Sequence, residues 1–131
     1  MPTPITLLYA VPLALVGMFL AARAGAHRAK LNVPVGHGGD EQLHRNMRAH
    51  ANFAEYVPLI LLLMALYELN GGAALWLHGL GGALLVARIA HPLGIGDIRS
   101  PARLLGAALT MLVLLACTIL IGIQAWGAYL S

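Results

Sequence analysis

The chain has 131 residues, of which 60% are hydrophobic and only 10% are charged, and its mean hydropathy is +0.79. A soluble domain of this size could not bury so much apolar surface, so the composition indicates an integral membrane protein. The formal net charge is +3, and no basic stretch is interleaved with exposed aromatic residues, so nucleic-acid binding has no support.

Four nearly uncharged stretches predict four membrane helices. They are Ile5 to Ala22, Ala49 to Leu69, Ala73 to Ala87 and Leu104 to Leu130. The first lacks a basic leading segment and a small-residue cleavage site, so we expect a retained span rather than a signal peptide. The sequence therefore predicts an all-α fold, an integral membrane four-helix bundle that forms one domain over residues 1–131.

The basic residues are confined to two of the three connections. Five of the eight Lys and Arg lie between the first two spans, and three lie between the last two. The positive-inside rule then places both of these loops in the cytoplasm and both termini on the non-cytoplasmic side. Contacts with anionic lipid and this topological role account for four of them, which are Arg23, Arg28, Lys30 and Arg45.

The second helix should begin near Asp40, before it enters the membrane. A run rich in glycine and proline, residues 32–39, cannot continue the first helix. Asp40 follows this run and is suited to cap the next helix. Within that helix Arg48, Asn52 and Glu55 lie about 60° or less apart around the axis, so they form one polar stripe.

Glu55 is predicted to lie inside the membrane. The 12 residues between Glu55 and Glu68 are uncharged, but they span only about 18 Å of a hydrocarbon core that is ~30 Å thick. Glu68 is followed at once by the turn-forming residues 70–72 and belongs at the surface. Glu55 should then lie about 10 Å deep, facing protein or water and close to a cation.

The third span supplies a candidate cation. Arg88 and His91 are one turn apart at its end, before Pro92. From Ala73 to Ala87 the span is only ~22 Å long, so Arg88 should lie below the same surface and at a depth similar to that of Glu55. We therefore expect Arg88 and Glu55 to pair.

Seven polar residues should thus collect at one face of the bilayer: Arg48, Asn52, Glu55, Arg88, His91, Arg99 and Arg103. They contain no serine, cysteine or paired-carboxylate arrangement, which argues against a covalent hydrolase. Arginines with one glutamate match a small zwitterion that carries more negative than positive groups. Arginine would also stabilise a thiolate. An ion-pair network that only holds helices together is the alternative from these residues alone.

The single cysteine, Cys117, lies in the middle of the last span. One cysteine cannot form an intrachain disulfide or a cysteine metal cluster. We expect a small, buried, apolar side chain and no metal site. Haem held by His50 and His91 is a minor alternative that would give a coloured protein.

Three segments together resemble the MAPEG family, the membrane-associated proteins in eicosanoid and glutathione metabolism, and most closely its bacterial branch. They are Arg48-Ala-His-Ala-Asn52-Phe-Ala-Glu55-Tyr-Val-Pro58, Arg88-Ile-Ala-His91 and Arg99-Ser-Pro101-Ala-Arg103. The resemblance implies a homotrimer of four-helix subunits in an inner membrane, with glutathione bound between neighbouring subunits at the cytoplasmic side. It assigns glutathione binding to Arg48, Asn52, Glu55, Arg88 and His91.

The same resemblance implies a glutathione transferase or peroxidase that acts on lipophilic electrophiles. Arg103 would be the catalytic residue that stabilises the glutathione thiolate. Ala51 stands where catalytic relatives often carry a second arginine. The alternatives are a non-catalytic membrane module whose polar residues bind lipid headgroups or partner helices, and a small four-span exporter, against which the charge-free first span argues.

Overall fold

A computed structural model describes residues 2–94 and 100–130, and the described residues form four helices. Their bounds are α1 Pro4–Lys30, α2 Glu41–Leu69, α3 Ala74–Leu93 and α4 Pro101–Leu130. Each is long and apolar enough to cross a membrane. The predicted all-α membrane bundle is therefore confirmed. Arg99, which the sequence placed in the polar cluster, lies outside the described residues.

The first helix is longer than its apolar stretch. α1 continues through Arg23 and Arg28 to Lys30, eight residues beyond the predicted span. It ends where Asn32 adopts a positive φ of 53°, a conformation that asparagine tolerates better than most residues. The basic residues that follow the span are therefore carried on a rigid helical extension.

The second helix begins as predicted. The carboxylate of Asp40 accepts a hydrogen bond from the backbone N–H of Leu43 at 2.6 Å, which satisfies a donor that the first turn leaves open. At its other end Gly71 takes a φ of 77°. Glycine adopts this left-handed conformation without steric cost, so the chain can reverse directly into α3.

The four helices run alternately up and down. α1 packs against α2 and α3, and α4 also packs against α2 and α3, whereas α1 and α4 make no contact among the described residues. The end of α1, the start of α2, the end of α3 and the start of α4 therefore lie together. We call this the basic end of the bundle, because the lysine and arginine residues that the structure describes lie there.

Hydrogen bonds close the opposite end. The carboxylate of Glu68 accepts from the backbone N–H groups of Ile5 and Thr6, both at 2.8 Å, and so caps the start of α1. Gln124 donates to the backbone carbonyls of Tyr67 at 3.3 Å and Asn70 at 3.2 Å. These contacts place Glu68 at the end of the bundle opposite the basic end.

The core is an apolar column along the bundle axis. Its fully buried members include Leu13, Ile60, Met64, Leu77 and Leu84. Cys117 is also buried and has no disulfide partner, as expected for a small apolar side chain. Large apolar side chains elsewhere face outward on every helix, which is the surface that lipid requires and water would oppose.

Helices α3 and α4 approach each other closely beside the polar residues. A Cβ atom added at Gly106 would lie 2.8 Å from the carbonyl oxygen of Ala87 and 2.8 Å from Cβ of His91. Such distances are shorter than real Cβ contacts, so only glycine fits there. The absent side chain brings the backbone of α4 against the turn that carries Arg88 and His91.

Candidate functional site

A cavity of about 340 Å³ opens at the basic end of the bundle. Its lining comes from three helices: His44, Arg45, Arg48 and Asn52 of α2, His91 of α3 and Arg103 of α4. The volume falls within the roughly 300–1,000 Å³ of typical small-molecule sites. We call it the polar cavity.

The polar cavity favours an anionic ligand. Among the described residues six line it, of which three are arginines and none carries a carboxylate. Arginine offers only donors, in a planar arrangement that matches carboxylates. The two histidines and Asn52 add further polar groups that can orient such a ligand.

Arg88 lies below the polar cavity and is 2% exposed. It donates through Nη1 to Oδ1 of Asn52 at 2.9 Å and through Nη2 to the hydroxyl of Thr110 at 2.6 Å. A weaker bond of 3.4 Å reaches the carbonyl oxygen of Gly106. One guanidinium thus joins α2, α3 and α4 directly beneath the polar cavity.

The acceptors that the guanidinium of Arg88 binds among the described residues are all uncharged. Arg88 forms no ion pair with any carboxylate among the described residues. Its Nε is buried without a hydrogen-bond partner. A buried cation that lacks a counter-ion raises the local potential and attracts negative charge to the adjoining cavity.

The predicted ion pair between Arg88 and Glu55 is wrong. Asn52 points toward α3 and α4, where it accepts from Arg88. Glu55 follows three residues later, so its side chain leaves the helix about 60° away. A similar depth does not bring two residues together when their helix faces diverge.

Glu55 instead lies beside Arg48 on the outer face of α2. The shortest distance between the guanidinium and the carboxylate is 3.9 Å, and the side chains are 55% and 51% exposed. Leu59 and Leu62 continue this exposed face toward the middle of the span. Glu55 therefore faces outward from the isolated chain, at the edge of the polar cavity rather than within its lining.

The structure brings four of the predicted site residues to one cavity: Arg48, Asn52, His91 and Arg103. Arg88 donates a hydrogen bond to Asn52 from beneath the cavity. Glu55 lies beside Arg48, at the edge of the cavity. Two further lining residues, His44 and Arg45, did not figure in the predicted site. They lie four and three residues before Arg48, so the same helix stripe, extended back by one turn, would have identified them.

Tyr56 and Thr110 were also not predicted as site residues. With Asn52 and Arg88 they line a small cavity of about 60 Å³, large enough for roughly two waters at ~30 Å³ each. Asn52 borders both cavities, so they are neighbours. Among the described residues no group of three or more histidine, cysteine or acidic side chains could hold a metal ion.

Comparison with known proteins finds one matching family and two similar membrane proteins. The model of the MAPEG family matches residues 6–123. The chain is also similar to the inner membrane protein YecN of Escherichia coli strain K12 and to YecN of E. coli O6:H1 strain CFT073. Each is 34% identical over 90 residues, which cover 69% of this chain and 69% of the relative.

Proposed function

Because this multi-pass membrane protein belongs to the MAPEG family, we propose that it binds glutathione in the polar cavity. The observation that carries the proposal is the cavity lining, in which three arginines converge and none of the described lining residues is a carboxylate. Glutathione has two carboxylates, one ammonium group and a thiol, so its net charge suits such a lining. Glu55, at the cavity edge, would accept a hydrogen bond from the ammonium group.

The exposed position of Arg48 and Glu55 favours a second subunit. Both side chains are half exposed on the isolated chain, on a helix that crosses the membrane. A carboxylate that faces lipid is unfavourable by about 2.5–3.5 kcal/mol or more. A neighbouring copy that covers this face would remove the exposure and close the site, so we propose a homotrimer in a bacterial inner membrane with glutathione between its subunits.

Catalysis would follow from Arg103. Its guanidinium lines the polar cavity at the start of α4, and a nearby positive charge favours the thiolate over the thiol. The thiolate sulfur would bond to an electrophilic carbon, whose leaving group departs with its electron pair, while the thiol proton passes to water. The electrophile would be lipophilic, since the apolar surface of the helices opens to lipid.

Isothermal titration of the detergent-solubilised protein with glutathione tests the binding. Arg48→Ala and Glu55→Gln should each weaken the affinity at least tenfold, which corresponds to about 1.4 kcal/mol. Arg28→Ala is the matched control, because Arg28 lies outside the polar cavity and donates to the carbonyl of Pro34 and the sulfur of Met47. Affinity that stays unchanged in both cavity variants would remove the site assignment. The alternative of a non-catalytic module that binds lipid headgroups or partner helices predicts no heat of glutathione binding.

A further inference from the structure

A second large cavity, of about 430 Å³, lies between α1 and α3. Its walls are almost entirely apolar, with Leu15, Phe19 and Leu20 from α1 facing Ile89 and Leu93 from α3. We call it the α1–α3 groove. The proposed glutathione site does not use it, although Arg88, which lines the groove, also binds Asn52 beneath the polar cavity.

The polar residues of the groove accept no hydrogen bonds. Within the described part of the chain, Arg23 and Arg88 are the charged or polar residues that line it, and arginine is exclusively a donor. A ligand that fits must therefore combine an apolar body with an anionic group. Water alone would leave the leucine, isoleucine and phenylalanine surface poorly solvated.

Arg23 is available to bind that anion. Its side chain is half buried and forms no hydrogen bond or ion pair with any described residue. Arg28, five residues later on the same helix, donates to the carbonyl of Pro34 at 3.4 Å and to the sulfur of Met47 at 3.3 Å. The difference identifies Arg23 as an uncommitted cation beside an apolar groove.

Arg23 also borders a second cleft, of about 540 Å³, that lies further toward the basic end. His27 and Lys30 of α1 and Gln42 and Asn46 of α2 line this polar cleft. From Leu15 to Arg23 the helix rises about 12 Å. Along α1 the surface thus changes from an apolar groove to a single arginine and then to a polar, basic cleft.

This order is the order of acyl chain, phosphate and headgroup in one leaflet of a bilayer. We propose that the α1–α3 groove binds one anionic phospholipid per subunit, with an acyl chain along the exposed side chains of Phe19 and Ile89 and its phosphate at Arg23. The headgroup would extend toward Lys30 and Gln42. Basic pockets between membrane helices are known to hold anionic headgroups, and the excess of cations here disfavours a zwitterionic headgroup.

The test is retention of lipid after purification. The protein is equilibrated in mixed micelles with phosphatidylglycerol or phosphatidylcholine of identical acyl chains, exchanged into lipid-free detergent, and examined by native mass spectrometry. We expect about one phosphatidylglycerol per subunit and at least tenfold less phosphatidylcholine. Arg23→Gln should reduce phosphatidylglycerol to the phosphatidylcholine level, whereas Arg28→Gln, which removes the same charge from the same helix, should retain it.

A second arm tests the groove itself. Phosphatidylglycerol with six-carbon chains should be retained at least tenfold less than the lipid with sixteen-carbon chains, because it buries fewer methylene groups. Equal retention by Arg23→Gln and Arg28→Gln, or no preference for the longer chain, would overturn the proposal. An oligomer that retains no lipid in the mass spectrum would also overturn the proposal, since a neighbouring subunit would then cover the groove. Arg48→Ala should keep the lipid, which separates this site from glutathione binding.

Discussion

Arg88 of α3 and Asn52 of α2 are joined by a hydrogen bond of 2.9 Å directly beneath the polar cavity. The amide oxygen of Asn52 is thereby committed to the protein, and its NH₂ group is left to serve as a donor. Asn52 is also one of the cavity lining residues. The bond therefore sets the orientation in which Asn52 meets a ligand.

Asn52→Ala should destabilise the bundle. It removes an acceptor from a buried guanidinium, and a buried donor left unsatisfied reduces the free energy of unfolding by about 1–3 kcal/mol. Asn52→Asp keeps an acceptor at this position and should restore most of the loss. Reversible unfolding in mixed micelles measures both variants. Equal unfolding free energies for the alanine and aspartate variants would mean that the bond adds nothing.

Thr110 should act on the site through Arg88. Its hydroxyl accepts from Arg88 at 2.6 Å and donates to the carbonyl of Gly106 at 2.7 Å. Thr110→Val keeps the shape and removes the acceptor, so Arg88 should lose its position under Asn52. Glutathione affinity should then fall roughly tenfold, or about 1.4 kcal/mol.

Thr110→Ser is the informative companion variant, because it keeps the hydroxyl and should recover the affinity. Titration with glutathione gives the readout. A valine variant that is less stable but binds glutathione as well as the unaltered protein would limit Thr110 to a role in packing.

Gly106→Ala should separate α3 from α4 at the site. The added methyl group would meet backbone atoms of Ala87 and His91 that cannot move aside cheaply, and such overpacking reduces the free energy of unfolding by about 1–3 kcal/mol. Gly122→Ala on the same helix has open space around it. Because alanine favours helix by up to ~1 kcal/mol over glycine, this control should be neutral or stabilising. Similar losses in both variants would refute the close approach.

Arg103→Ala should abolish thiolate formation on bound glutathione. The unaltered protein with glutathione should show ultraviolet thiolate absorbance near neutral pH, because the guanidinium lowers the pKa of the ligand's thiol from about 8.5. The alanine variant should bind glutathione without that absorbance. If the unaltered complex shows none, the protein binds glutathione without activating it.

Much of the architecture could be predicted because few features determine it. Four long apolar stretches can only be helices in a membrane, and Asp40 after a glycine-rich run predicted the start of α2. The polar stripe of Arg48 and Asn52 followed from helical periodicity alone. These predictions depend only on the spacing of residues within one helix, which can be read directly from the sequence.

The partners of Arg88 could not be predicted in this way. Contacts between helices depend on how each helix is rotated about its axis, and α4 is too uniformly apolar for its sequence to fix that rotation. Thr110 was therefore not recognised as an acceptor. Charge complementarity suggested Glu55 instead, although the helix turns that carboxylate outward.

The carboxylate of Glu68 has a consequence for biogenesis. It belongs to the end of α2, yet it completes the hydrogen bonding at the start of α1. While the chain is being inserted, nearly all of α2 must be made before the first amide groups of α1 can bind this acceptor. The hairpin of α1 and α2 is thus the smallest part of the bundle in which the start of α1 has this acceptor.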